Sequence, residues 1–125
     1  MTGESPSSTG VGAVSIDHVG LLVDDLDAAM RFYTEVLGLR ERSDRPELRL
    51  RGAWLDVGDG QVHVFEGRAP TDAGQHLALR VADIEVVVER LTELGVEHAC
   101  YPRGEPTRQV IVHDPAGNRI ELTVR

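Results

Sequence analysis

A chain of 125 residues, 41% of them hydrophobic, is the size of one compact domain and can bury a core. Its formal net charge of −8 excludes nucleic acid and anionic membrane surfaces as partners, because both repel it, and no apolar run approaches the roughly 18 residues that cross a bilayer. The single cysteine, Cys100, cannot close an internal disulfide, and no basic, apolar export signal opens the chain, so the expected location is the cytosol.

Residues 1–12 are rich in Gly, Ser and Thr and are expected to form a mobile tail. A first strand is expected over 14–23. Asp24 or Asp25 then caps a helix with Leu26, Ala29, Met30, Tyr33 and Leu37 on one face, and Gly38 stops it. Residues 39–43, 48–57 and 61–66 read as three further strands, the last two joined by an Asp-Gly hairpin turn at Val57-Gly58-Asp59-Gly60-Gln61. Residues 67–74, rich in Gly, Pro and Ala, form a linker, and the pattern restarts. A strand over 75–81 leads to a helix capped by Asp83, with Ile84, Val87, Val88, Leu91 and Leu94 on its apolar face and Gly95 as its stop. Strands follow at 96–101, 108–113 and 118–124, with Asp114-Pro115-Ala116-Gly117-Asn118 as the matching turn. The expected fold class is therefore α+β: one domain over 13–125, built from two βαβββ modules at 13–66 and 75–125.

The two modules repeat their polar exceptions as well as their elements. At one offset of 58 residues, His18 falls on His76 and His63 falls on Glu121. Thr34-Glu35 keeps that offset against Thr92-Glu93, whereas Leu37-Gly38 matches Leu94-Gly95 at 57, so the first module carries one extra residue at its helix end. Strand side chains alternate between faces. Val19, Leu21 and Val23 belong to the helix side, and His18, Gly20 and Leu22 to the other. His76, Ala78 and Arg80, then Gln61, His63 and Phe65, then Arg119, Glu121 and Thr123, also lie opposite the helices. The small Gly20 and Ala78 leave room beside each strand histidine. A face holding His, Glu, Arg, Gln and Phe is the wall of a polar cleft, and His18, His63, His76 and Glu121 are its candidate metal ligands. A lone strand histidine is commonly a surface residue; the symmetry of these positions is what separates them from His98 and His113, both expected at the surface.

The stretches Ile16-Asp17-His18-Val19, Phe32-Tyr33-Thr34-Glu35-Val36-Leu37-Gly38-Leu39 and Asp114-Pro115-Ala116-Gly117-Asn118-Arg119-Ile120-Glu121-Leu122 resemble the vicinal oxygen chelate superfamily. That superfamily groups glyoxalase, methylmalonyl-CoA epimerase, extradiol dioxygenases, fosfomycin-resistance transferases and bleomycin-resistance proteins. The resemblance implies paired βαβββ modules forming a cup-shaped mixed sheet around a divalent metal. It also implies a homodimer, since many members of this length build the cup from modules of two chains. By position, His18, His76 and Glu121 match the usual ligands. The fourth position, usually Glu or Gln in the glyoxalase and epimerase branches, is His63 here.

Such a donor set suits Mn, Fe, Ni, Co or Zn. The expected function is a metal-dependent enzyme of the glyoxalase or isomerase kind, acting on a small anionic substrate with vicinal oxygens. The ion would stabilise an enediolate or other oxyanion, and Glu121 or His63 would act as the base. Arg80 and Arg119 on the cleft face and Arg108 at its rim are candidates for the anion, with Trp54 and Phe65 as apolar walls. The competing readings are an extradiol-type dioxygenase and a non-catalytic drug-binding resistance protein; the ligand quartet argues against the latter, because a pure binder has no need of it.

Overall fold

Alternation, caps and glycine stops act in each half of the chain as the sequence dictates, in a computed structural model that describes residues 10–104 and 106–124. The first half holds β1 (His18–Val23), α1 (Leu26–Arg31), β2 (Arg40–Glu41), β3 (Gly52–Val57) and β4 (Gly60–Glu66). The second holds β5 (His76–Arg80), α2 (Ile84–Glu93), β6 (Ala99–Tyr101), β7 (Gln109–His113) and β8 (Arg119–Thr123). Each half forms its own four-stranded mixed sheet, in the orders β1-β4-β3-β2 and β5-β8-β7-β6. In both, the first strand runs parallel to the last and the other pairs are antiparallel.

Several strands are shorter than expected. β1 starts at His18, whose register partner Gln61 lies near the start of β4, so the preceding Val14 and Ile16 are left exposed. The strand read at 39–43 contracts to two residues. Residues 48–51 belong to no strand: the alternation Leu48-Arg49-Leu50-Arg51 imitates one, but Leu48 and Leu50 are exposed. Leu94, placed on the apolar face of the second helix, is also exposed, because it lies beyond the last helical residue as the C-cap. Most of the expected tail, residues 1–9, lies outside the described residues.

The helix ends explain the odd residue in the repeat. Asp25 accepts from the Ala28 N–H and Asp83 from the Glu85 and Val86 N–H groups, which satisfies otherwise orphaned donors. In both helices a threonine hydroxyl bonds the carbonyl four residues back, Thr34 to Met30 and Thr92 to Val88. α2 then closes with an ordinary Leu94 N–H to Arg90 carbonyl bond. α1 instead widens into a π-helical turn over Phe32–Val36, with Leu37 N–H reaching the Phe32 carbonyl five residues back. One inserted residue is what such a turn absorbs. Gly38 and Gly95 then end the helical segments with φ of +75° and +70°, a region that excludes most side chains.

The helix-facing strand residues and the helices make one continuous core, with Val23, Tyr33, Leu55, Val62, Val64, Val110, Val112 and Ile120 at most 2% exposed. Burying each aliphatic side chain of this kind contributes roughly 1.5–3 kcal/mol. A polar latch crosses the core between modules. The buried Asp114 carboxylate accepts from the Tyr33 hydroxyl at 2.7 Å, from the Ala116 and Asn118 N–H groups and from the Asn118 side-chain amide. The same amide donates to the Leu22 carbonyl of β1. Burial, and then the Asp114 charge, push the Tyr33 phenol far above its ordinary range.

Candidate functional site

The four candidate ligands lie on the faces opposite the helices, as alternation requires, but one chain brings them together only in pairs. His18 and His63 meet on the first sheet; His76 and Glu121 meet on the second. Among the described residues, no three His, Cys, Asp or Glu side chains are grouped closely enough to hold a metal ion. The expected convergence of all four at one point is thus absent within a single chain.

The second pair sets two potential donor groups face to face. His76 Nδ1–H donates to the Gly74 carbonyl at 2.8 Å, which leaves the lone pair on Nε2. That nitrogen stands 3.3 Å from Glu121 Oε1, while Glu121 Oε2 is held by the Gln109 amide at 3.0 Å. His76 Nε2 and the Glu121 carboxylate face each other there, an arrangement that a shared proton or a cation satisfies.

The first pair is arranged differently. His18 Nδ1–H donates to Asp17 at 2.8 Å, again leaving Nε2 as a free donor atom for a metal. His63 is the middle ring of a stack. Its centroid lies 3.9 Å from that of His18 and 4.6 Å from that of Trp54, with ring planes 13° and 11° apart. Its Nε2–H donates to the Gln61 side-chain oxygen at 2.7 Å. Burial, then the neighbouring His18, lower the pKa of His63, which favours the neutral ring. His63 thus lies in the pocket wall with both ring faces covered and Nε2 engaged by Gln61.

Beside this stack is a pocket of about 470 Å³, walled by Trp54, Phe65, Leu48 and Leu50, with Arg45 and Arg49 among its lining. The room expected beside Gly20 is taken by Phe65, whose ring would lie 3.2 Å from a Cβ at that position. Phe65 and Trp54 line this pocket. The arginines named as candidates for the anion lie outside it. Arg80 is exposed on the second sheet; Arg108 lines a separate cleft with Tyr101 and Pro102; Arg119 Nε is held by Asp72 at 3.0 Å. That aspartate also accepts from His113, and these bonds, with one from the Gly74 N–H, hold its carboxyl below the usual range. Sequence reading missed Leu48, Arg49 and Leu50 because it assigned 48–57 to a strand, and it gave no role to Arg45 in the gap before that strand. The run of arginines at 42, 45, 49 and 51 around Pro46 was the available signal of a loop.

Two βαβββ modules with histidine and glutamate at equivalent strand positions define a duplicated, chelate-type scaffold. Comparison with known proteins makes the assignment: residues 15–122 match the sequence profile of the Glyoxalase/Bleomycin resistance protein/Dioxygenase superfamily, and the chain belongs to that family. It is 31% identical over 126 residues to the lactoylglutathione lyase of Haemophilus influenzae, covering 87% of this chain and 91% of that one. A crystal structure from Bacillus anthracis, of a protein assigned to the glyoxalase family, superposes with a TM-score of 0.78 at 27% identity, covering 90% and 96% of the two chains. At 20% identity the fold is shared with the fosfomycin resistance protein FosX of Listeria monocytogenes (TM-score 0.76, 90% and 92% covered), a structure containing Mn(II) and dihydroxypropylphosphonic acid.

Proposed function

We propose that the protein is a divalent-metal-dependent enzyme of the glyoxalase or isomerase kind, acting on a small anionic substrate with vicinal oxygens, and that its active site is shared between two copies of the chain. His18, with His63 beside it, would come from one protomer, and His76 with Glu121 from its partner. The observation that carries this reading is the split quartet: two complementary half-sites on two sheets, each open on the face opposite the helices. The kinship with lactoylglutathione lyases supports the enzyme class, and the Mn(II) found in the Listeria protein supports a divalent ion.

The donors fit such an ion. Nε2 of His18, Nε2 of His76 and the Glu121 carboxylate are one carboxylate and two imidazoles, each imidazole oriented by a hydrogen bond on its other nitrogen. A bound divalent ion would supply Lewis-acid polarisation of the substrate oxygens. The chain's own residues would do the rest. Glu121, only 14% exposed and steered by Gln109, is positioned to accept a proton at Oε1. His63, neutral through burial, offers a second acceptor at Nδ1, since its Nε2–H is engaged by Gln61. The ring stack and Phe65 would give that side of the site an aromatic wall.

Complementation tests the shared site. His18→Ala and Glu121→Gln each disable every site in their own homodimers. Co-expressed, they form mixed dimers in which one site unites an intact His18 half with an intact Glu121 half. About a quarter of wild-type metal content and turnover is expected from a statistical mixture. Recovery of neither, with mixed dimers present, rejects a site built across two chains.

A further inference from the structure

We infer that the pocket on the first module binds a substrate with a flat or aliphatic apolar body and a carboxylate, and that Arg45 is the residue that selects the anion. This deepens the proposed function by naming the substrate class, and it rests on that reading only for where the reacting oxygens lie. The pocket itself is complete within one chain.

Two arginines flank this face of the sheet, and they are treated in opposite ways. Arg42 is neutralised: Nε and Nη2 donate to Asp44, and Nη1 donates to Asp56. Arg45 has no carboxylate within ion-pair distance among the described residues. Its recorded bond is from Nη2 to the Leu50 carbonyl at 2.9 Å, and its buried Nε–H has no acceptor. A buried, unmet guanidinium donor is costly, and a ligand anion would remove the cost.

The Arg45 guanidinium lies against β3 at Gly52: a Cβ there would stand 2.9 Å from Nη2, although the stricter demand for glycine comes from the Val64 carbonyl, 2.4 Å from the same Cβ. Residues 46–51, whose Leu50 carbonyl accepts from Arg45 Nη2, have no regular structure. Besides Arg45 the lining holds a second arginine, Arg49, and otherwise largely apolar or aromatic side chains, with Leu48 and Leu50 from that segment and Trp54 and Phe65 from the sheet. At about 470 Å³, the pocket is within the range of small-ligand sites, roughly 300–1,000 Å³. Largely apolar walls beside arginines, of which Arg45 carries the unmet buried donor, suit an aryl or medium-chain carboxylate better than a hydrophilic peptide conjugate.

Trp54 is the chain's one tryptophan and lines the pocket, so its fluorescence reports occupancy directly. Titration of chelator-treated protein with hydrocinnamate should quench it saturably. The uncharged hydrocinnamamide should bind at least about tenfold more weakly, and Arg45→Met should weaken the acid by a similar factor without changing the amide. Arg45→Lys, which keeps the charge, should retain part of the preference. Glu121→Gln should bind the acid as wild type does, whatever its metal content, which separates failure of the pocket from failure of the metal site. Equal binding of acid and amide by wild type, or an unchanged acid affinity in folded Arg45→Met protein, overturns the inference.

Discussion

Tyr33 and Asp114 show how much can depend on one hydrogen bond between repeats. The carboxylate is 4% exposed and the phenol fully buried, so neither exchanges its partner for water without cost. Tyr33→Phe removes the hydroxyl and leaves the rest of the Asp114 ring of donors intact; a loss of about 1–3 kcal/mol is expected in urea unfolding. The pH dependence has a definite sign. Because the folded phenol is raised far above its ordinary value, the stabilisation it carries is fully present below the free phenol's pKa of about 10 and is lost as the pH rises beyond it. Wild type should therefore lose more stability than Tyr33→Phe on moving into alkaline buffer. Phenolate absorbance from Tyr33 should appear only with unfolding. Parallel alkaline slopes for the two proteins would mean that the phenol is not the titrating group.

At the scale of elements, the caps offer a direct comparison within one molecule. Asp83 satisfies two backbone donors of α2, and Asp25 satisfies one at α1. Asp83→Ala should cost about 1 kcal/mol or more, and Asp25→Ala less, in matched thermal melts; the reverse order would mean that packing, not capping, fixes these helix starts. Both caps, both glycine stops and both hairpin turns were legible in the sequence because they are local chemistry. The extra residue before Leu37 was legible as a slip of register. Its outcome as a π-helical turn was not, because the choice among a π turn, a bulge and a longer loop depends on what Tyr33 must reach across the core. The segment 48–51 failed for the opposite reason. Leu-Arg-Leu-Arg has strand periodicity, but β3 has no register partner there, and alternation alone carries no information about partners. That His18 shares a face with His63, and His76 with Glu121, followed from parity. Which ligands meet did not, since that depends on how whole modules associate.

At the scale of the molecule, a site shared between two chains as proposed would tie metal binding to association. If one ion is held by His18 of one protomer and His76 with Glu121 of another, a separated chain offers at most two of these donors at any one sheet. Affinity for the ion must then fall on dilution through the dimer's dissociation range, and by reciprocity the ion must tighten the dimer by the same factor. Sedimentation velocity of chelator-treated protein, with and without added Mn(II), should show the dimer persisting to lower concentrations when the metal is present. His76→Ala should abolish that difference while leaving the folded chain intact, because His76 is exposed and its one recorded side-chain hydrogen bond, to Gly74, is peripheral. A metal affinity that stays constant across dilution would require the two modules of one chain to close on each other instead. That closure would have to break the Tyr33–Asp114 and Asn118–Leu22 bonds and open the shared core, at a cost of several kcal/mol that a solvent-exposed pair of half-sites meeting a second chain does not incur.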